Sequence, residues 1–183
     1  MRIKSVFFVS AIALAITAAS VSAQEYGRTL KGTYSLGGGA FFDTDSAMGR
    51  DIQLSFSFGY YLEDGFMLGG YATVYDNAWY NSDGIGATMK WHFWDFGLDD
   101  YSMPFSMYVG GDLGMGYVKT GLDSNSAFVV GARWGLDFFI TYNVALGISA
   151  DAHVATDDIY PANKLKGLTN SVISVKLGVT FNW

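Results

Sequence analysis

The chain has 183 residues, half of them hydrophobic and 17% aromatic, with 11 basic against 17 acidic side chains and a formal net charge of -6. The acidic balance and the lack of a basic patch argue against nucleic acid as a partner. Cysteine is absent, which excludes disulfides, a thiol nucleophile, thiolate metal sites and a lipid-modified N-terminal cysteine.

The first element reads as a leader. Arg2 and Lys4 precede an apolar stretch from Val6 to Ala19, and Val21-Ser22-Ala23 offers small residues where a signal peptidase reads. Residues 1–23 are therefore expected to be cleaved, because the stretch is shorter than the roughly 20 residues that a spanning helix needs. Taking 23 from 183 leaves residues 24–183, or 160 residues with 9 basic and 17 acidic side chains and a net charge of -8. That is enough for one domain with an interior of its own.

Beyond residue 23 no apolar run approaches a spanning helix. Period-two alternation appears instead, in eight segments at roughly 29–42, 51–62, 66–76, 84–95, 104–118, 127–138, 144–155 and 171–183. Each has about the 9 to 11 residues, or slightly more, of a tilted membrane-crossing strand. In the second, Ile52, Leu54, Phe56, Phe58, Tyr60 and Leu62 share one face; in the fourth, Ile85, Ala87, Met89, Trp91 and Phe93; in the sixth, Phe128, Val130, Ala132, Trp134, Leu136 and Phe138. The seventh repeats the pattern with Val144, Leu146, Ile148, Ala150, Ala152 and Val154. Apart from Asp76 and Asp95 at segment ends, no Asp, Glu, Lys or Arg falls on the more apolar face of these segments, as expected where a lipid-facing charge at mid-membrane costs about 2 to 4 kcal/mol. Tyr60, Phe66, Trp91, Phe93, Phe105, Phe138, Phe181 and Trp183 gather at one set of strand ends, as an aromatic girdle does and a soluble sandwich core does not. The expected fold is all-β, an eight-stranded antiparallel up-and-down transmembrane barrel.

An even number of strands returns the C-terminus to the side of the N-terminus. Turns near Glu63-Asp64-Gly65, 96–103 and 139–143 are expected on that periplasmic side, with loops near 43–50, 77–83, 119–126 and 156–170 outside.

In the last segment Ile173, Val175, Leu177, Val179, Phe181 and Trp183 point one way, and Ser174, Lys176, Gly178, Thr180 and Asn182 the other. Ending on Trp183, with Phe181 two positions before and Val179 four, it resembles the C-terminal targeting strand of bacterial outer-membrane barrels. Those three residues would then be the assembly signal that the barrel-assembly machinery reads. The whole mature chain resembles the small eight-stranded outer-membrane barrels of the OmpA/OmpX-like family, including the join of strands six and seven through Phe139 to Gly147. The resemblance implies the cell outer membrane as location, its lipid as the surrounding partner, and a monomer.

The inward faces carry Lys31, Lys90, His92, Asp112, Arg133, Asp137, Asp151, His153 and Lys176, four cations against three carboxylates and two imidazoles. Tyr71, Tyr75, Tyr108, Ser55, Ser57, Ser149 and Ser174 stand among them. An eight-stranded interior is just wide enough for side chains to fill, so a mutually paired polar lumen is expected. Arg133 and Lys176 are expected to neutralise Asp137 and Asp151, the pairing register being unreadable from sequence.

Catalysis is the weaker expectation. Deacylase barrels need a His-x-Ser pair, whereas this chain reads His153-Val154-Ala155 and His92-Phe93-Trp94. Palmitoyltransferase barrels carry an amphipathic helix before the first strand, for which residues 24–28 are too short. Asp43-Thr44-Asp45 and Asp157-Asp158 lack the ligand count and glycine of a calcium loop, and no helix follows Gly37-Gly38-Gly39 to cradle phosphate, so no metal or cofactor is expected. The leading function is a structural or surface barrel without catalysis. The alternatives are a narrow channel for small solutes, favoured by the less charged side at Tyr71, Tyr75, Ser55, Ser57 and Gly59, and a lipid A-modifying enzyme.

Overall fold

The computed structural model describes residues 29–43, 51–76, 81–96, 105–120, 123–141, 143–161 and 168–183. The expected leader, and most of the connections expected at 43–50, 77–83 and 96–103, lie outside the described residues.

Ten strands form: β1 (Tyr34–Asp43), β2 (Asp51–Glu63), β3 (Phe66–Asp76), β4 (Asn81–Phe96), β5 (Phe105–Thr120), β6 (Asp123–Phe139), β7 (Val144–Ala155), β8 (Tyr160–Pro161), β9 (Leu168–Thr169) and β10 (Ser171–Asn182). Eight of them close an antiparallel barrel in the order β1-β10-β7-β6-β5-β4-β3-β2, and β8 pairs β9 in a small separate hairpin. Each strand of the barrel pairs with its sequence neighbour, and the closing seam joins β10 to β1, with Gly38 opposite Val179. Closure leaves no free sheet edge, the condition for β-structure in hydrocarbon.

The alternation sorts side chains as strand geometry requires. Ile85, Leu113, Ile173 and Leu177 are more than half exposed on the outside, while Lys90, Asp112, Asp151 and Lys176 are buried inside. An apolar exterior around a polar interior inverts the soluble arrangement and matches hydrocarbon as the solvent. At the end bearing the C-terminus, Tyr34, Phe58, Tyr60 and Trp183 stack on one another, Trp91 meets Phe93 and Phe105 meets Phe138. Phe181 departs from the expected exposed girdle: it lies on the outward alternation yet is buried, in register between Leu36 and Val144 at the seam.

Four boundaries differ from expectation, the first being the start of β4 at Asn81, inside the loop expected at 77–83. The β5–β6 hairpin leaves residues 121 and 122 between its strands, with Lys119 opposite Ser124 and Thr120 opposite Asp123. Polar residues on both faces obscure the alternation there, although the backbone ladder continues. The loop expected at 156–170 contains the β8–β9 hairpin. The first strand starts at Tyr34 rather than near residue 29, because residues 29–33 form a turn in which Gly32 takes a φ of 90°.

Candidate functional site: the barrel lumen

That turn corrects one expected luminal residue. Lys31 is outside the lumen, its Nζ 2.8 Å from Glu63 Oε1 and its backbone N–H donating to Asp64 at the exposed β2–β3 turn. Period two assigns Lys31 the inward parity of Thr33 and Ser35, but alternation holds only while the chain is extended. The hydrogen bond from Lys31 to Glu63 and the carboxylate charge raise its pKa above the ordinary lysine value. Of the nine candidates, the eight inside then comprise three cations, three carboxylates and two imidazoles.

Five of those eight form one cluster. Arg133 on β6 stands directly opposite Asp151 on β7, and its Nε lies 2.9 Å from Asp151 Oδ1 while its Nη2 reaches Asp112 Oδ2 on β5 at 3.0 Å. Lys176 Nζ on β10 lies 2.8 Å from Asp151 Oδ2, and His153 Nε2 lies 3.1 Å from Asp112 Oδ2. The two aspartate side chains have essentially no exposure. Their charges are met by the Arg133 guanidinium of β6 and the Lys176 ammonium of β10, with the His153 imidazole of β7 beside Asp112, the arrangement that makes buried ionic groups tolerable.

The His153–Asp112 contact crosses β6, and Gly131 makes it possible. Gly131 lies in register between Asp112 and His153, and a Cβ there would meet the His153 ring at 2.3 Å. Similar gaps receive other side chains: Tyr108 lies over Gly135, and Tyr71 over Gly86 and Gly114. Inward glycines beside bulky residues on the next strand are the sequence signal for these contacts, legible only once the register is known.

The expected neutralisation of Asp137 by Arg133 or Lys176 does not occur. Asp137 pairs across the ladder with Gly147, and its Oδ1 occupies the space a Cβ of Gly147 would take. Lys90, in one ladder row with Gly110, Arg133 and Asp151, lies 4.7 Å from the centre of the Tyr108 ring, a cation–π contact. A cavity of about 60 Å³, room for a few waters, lies between these groups and Gly37, Gly39, Ser55 and Ser57 of β1 and β2.

His92 is nearer the C-terminal end. Its Nδ1 lies 2.8 Å from Ser106 Oγ and its Nε2 3.3 Å from Tyr61 OH. Neither Ser106 nor Tyr61 stands out in the sequence as a candidate. An imidazole beside a serine hydroxyl is the core of nucleophilic catalysis, yet here Ser106 has no exposed surface and the second ring nitrogen faces a phenol instead of a carboxylate. This triad is a hydrogen-bonded packing layer. Among the described residues, no group of three His, Asp or Glu side chains is placed to hold a metal ion.

Toward the opposite end the described residues include a buried aliphatic cluster. Ile159, between β7 and β8, is 1% exposed and packs with Val118, Ala127, Val129 and Ala155. Nearby, hydrogen bonds from Asn125 and the Asp158 backbone lower the Asp157 pKa.

No protein-family model and no curated protein matches the chain. Solved structures do share its architecture. Neisserial surface protein A (NspA) matches with a TM-score of 0.57 at 20% identity, over 82% of this chain and 97% of that one. The N-terminal β-barrel domain of Pseudomonas aeruginosa OprF matches with a TM-score of 0.59 at 16% identity, over 84% and 98%. The outer membrane protein OprG from Pseudomonas aeruginosa matches with a TM-score of 0.53 at 11% identity, over 84% and 97%. The chain has the fold of the small eight-stranded outer-membrane barrels.

Proposed function

We propose that this protein is an integral, monomeric barrel of the bacterial outer membrane whose side-chain-filled polar lumen serves a structural or surface role without catalysis. The observation that carries this reading is the Arg133 cluster: one guanidinium, one ammonium and one imidazole bind two aspartates across the lumen. Such a lattice fills an eight-stranded interior and leaves no ion a low-cost route through. The apolar exterior, whose described charges Asp83 and Lys119 lie near strand ends, supports lipid as its surrounding, and the end bearing the C-terminus is assigned to the periplasm. Val179, Phe181 and Trp183 are assigned to recognition by the barrel-assembly machinery, and residues 1–23 to a cleaved leader.

The cavity beside Ser55 and Ser57 favours a second reading, a narrow channel for small solutes. Planar-bilayer recording separates the two. The filled lumen gives no steady conductance from the unmodified protein, and large, stable single-channel steps would overturn it in favour of the channel.

A further inference from the structure

We infer that Ile159 is a stopper: one aliphatic side chain, delivered from a loop, separates the luminal ion-pair cluster from water at the end opposite the C-terminus. The inference rests on the filled, membrane-embedded lumen proposed above and assigns its barrier to a single residue.

Ile159 lies outside the eight barrel strands, yet it is 1% exposed. Its Cδ1 enters the space in front of Gly116, where a Cβ would approach it to 2.3 Å. Val118, Ala127, Val129 and Ala155 supply the surrounding apolar walls, and the partly buried Tyr75, Tyr160 and Leu168 pack against them. The lumen thus has a preformed socket for a branched aliphatic group.

The chain around the stopper is tied to the β8–β9 hairpin at Thr169 and to barrel strand β6 at Phe128. The Ile159 N–H donates to Thr169 O at 3.1 Å, the Thr156 N–H to Phe128 O at 2.9 Å, and the Phe128 N–H to Thr156 Oγ1 at 3.1 Å. The apolar layer adjoins the ion pairs directly: Ala155 is two residues from His153 on β7, and Val129 four from Arg133 on β6. An apolar constriction excludes ions by dewetting, and water exclusion strengthens the pairs beneath it.

The chain's lack of cysteine makes the test clean. Ser174 is buried, faces inward and stands opposite Asp151, so Ser174→Cys places one thiol at the level of the cluster. The folded protein in sealed vesicles is exposed to Ag⁺ and the remaining thiol is alkylated after denaturation; Asp64→Cys at the opposite end marks leakage. With Ile159 in place the thiol is modified slowly. Ile159→Gly, and independently Gly116→Ala, which displaces the stopper without removing it, each accelerate modification at least about tenfold because a protected site reacts only when it opens. Ile159→Val keeps it slow. Heat-modifiable migration identifies folded protein, and Ile159→Ala replaces any variant that fails to fold. Modification equally slow in every folded variant overturns the stopper and leaves the filled lumen intact, whereas fast modification with Ile159 present overturns both.

Discussion

Toward the lumen, β1 and β2 present Ser35, Gly37, Gly39, Ser55 and Ser57, whereas β5, β6, β7 and β10 present Asp112, Arg133, Asp137, Asp151, His153 and Lys176. Among the described side chains, the first wall carries no charge and the second carries a nearly continuous set. The cavity lies where they face each other. A narrow barrel can fill its interior asymmetrically: long ionic side chains from one wall occupy the space that small residues on the other relinquish. The charged wall should therefore hold stability, and the small wall should tolerate change.

The largest effect is expected where the walls are joined. Trp183 and Tyr34 exchange backbone hydrogen bonds of 2.7 and 3.0 Å at the seam. Deleting Phe181 to Trp183 removes that clasp and the proposed assembly signal together, and should abolish assembled barrel. Normal amounts of heat-modifiable protein in the outer membrane would refute this.

Next is the charged wall itself. Arg133→Ala leaves Asp112 and part of Asp151 buried without their main partner, and should destabilise the barrel by about 3 to 5 kcal/mol. Ser55→Ala on the facing wall removes one weak contact to Gly39 O at 3.4 Å and should cost less than about 1 kcal/mol. Urea unfolding of both variants in vesicles measures the contrast, and equal losses would erase the distinction between the walls.

A sharper version compares outside with inside on one strand. Leu146→Arg strands a charge in hydrocarbon and should cost about 2 to 4 kcal/mol, whereas Ser149→Arg points into the polar cavity and should cost less. Equal refolding free energies would show the facing to be wrong.

The smallest effect belongs to Lys31, outside both walls. Its pKa is raised by Glu63, so any stabilisation is fully present below the ordinary value of 10.5 and is lost only as pH rises through the higher folded-state value. Both partners are exposed, so Lys31→Met should leave the melting temperature unchanged from about pH 6 to 8, where lysine stays charged. A clear drop would place Lys31 back among the structural charges.

Much of the barrel is legible in the primary structure because facing is a local property. Successive Cβ atoms alternate, so Lys90, Asp112, Arg133, Asp151 and Lys176 can be assigned inward from their own segments, and Ile85, Leu146 and Ile173 outward, without knowing any partner. The same rule fails at Lys31, where Gly32 ends the extended chain one residue later.

Pairing is not local. Sliding β6 by two residues against β7 keeps every side chain on its face yet would bring a different residue opposite Asp151, and only the closed ladder places Arg133 there. Gly131 reads in sequence as a small inward residue; only the fold shows that its missing side chain lets His153 reach Asp112 across an intervening strand. Ile159 reads as a loop residue and becomes luminal because the chain after β7 folds back toward Gly116. Composition and period two determined the solvent on each face and the number of crossings. The tertiary structure alone decided which charges meet and which residue closes the mouth, because both depend on hydrogen bonds and packing between segments far apart in the chain.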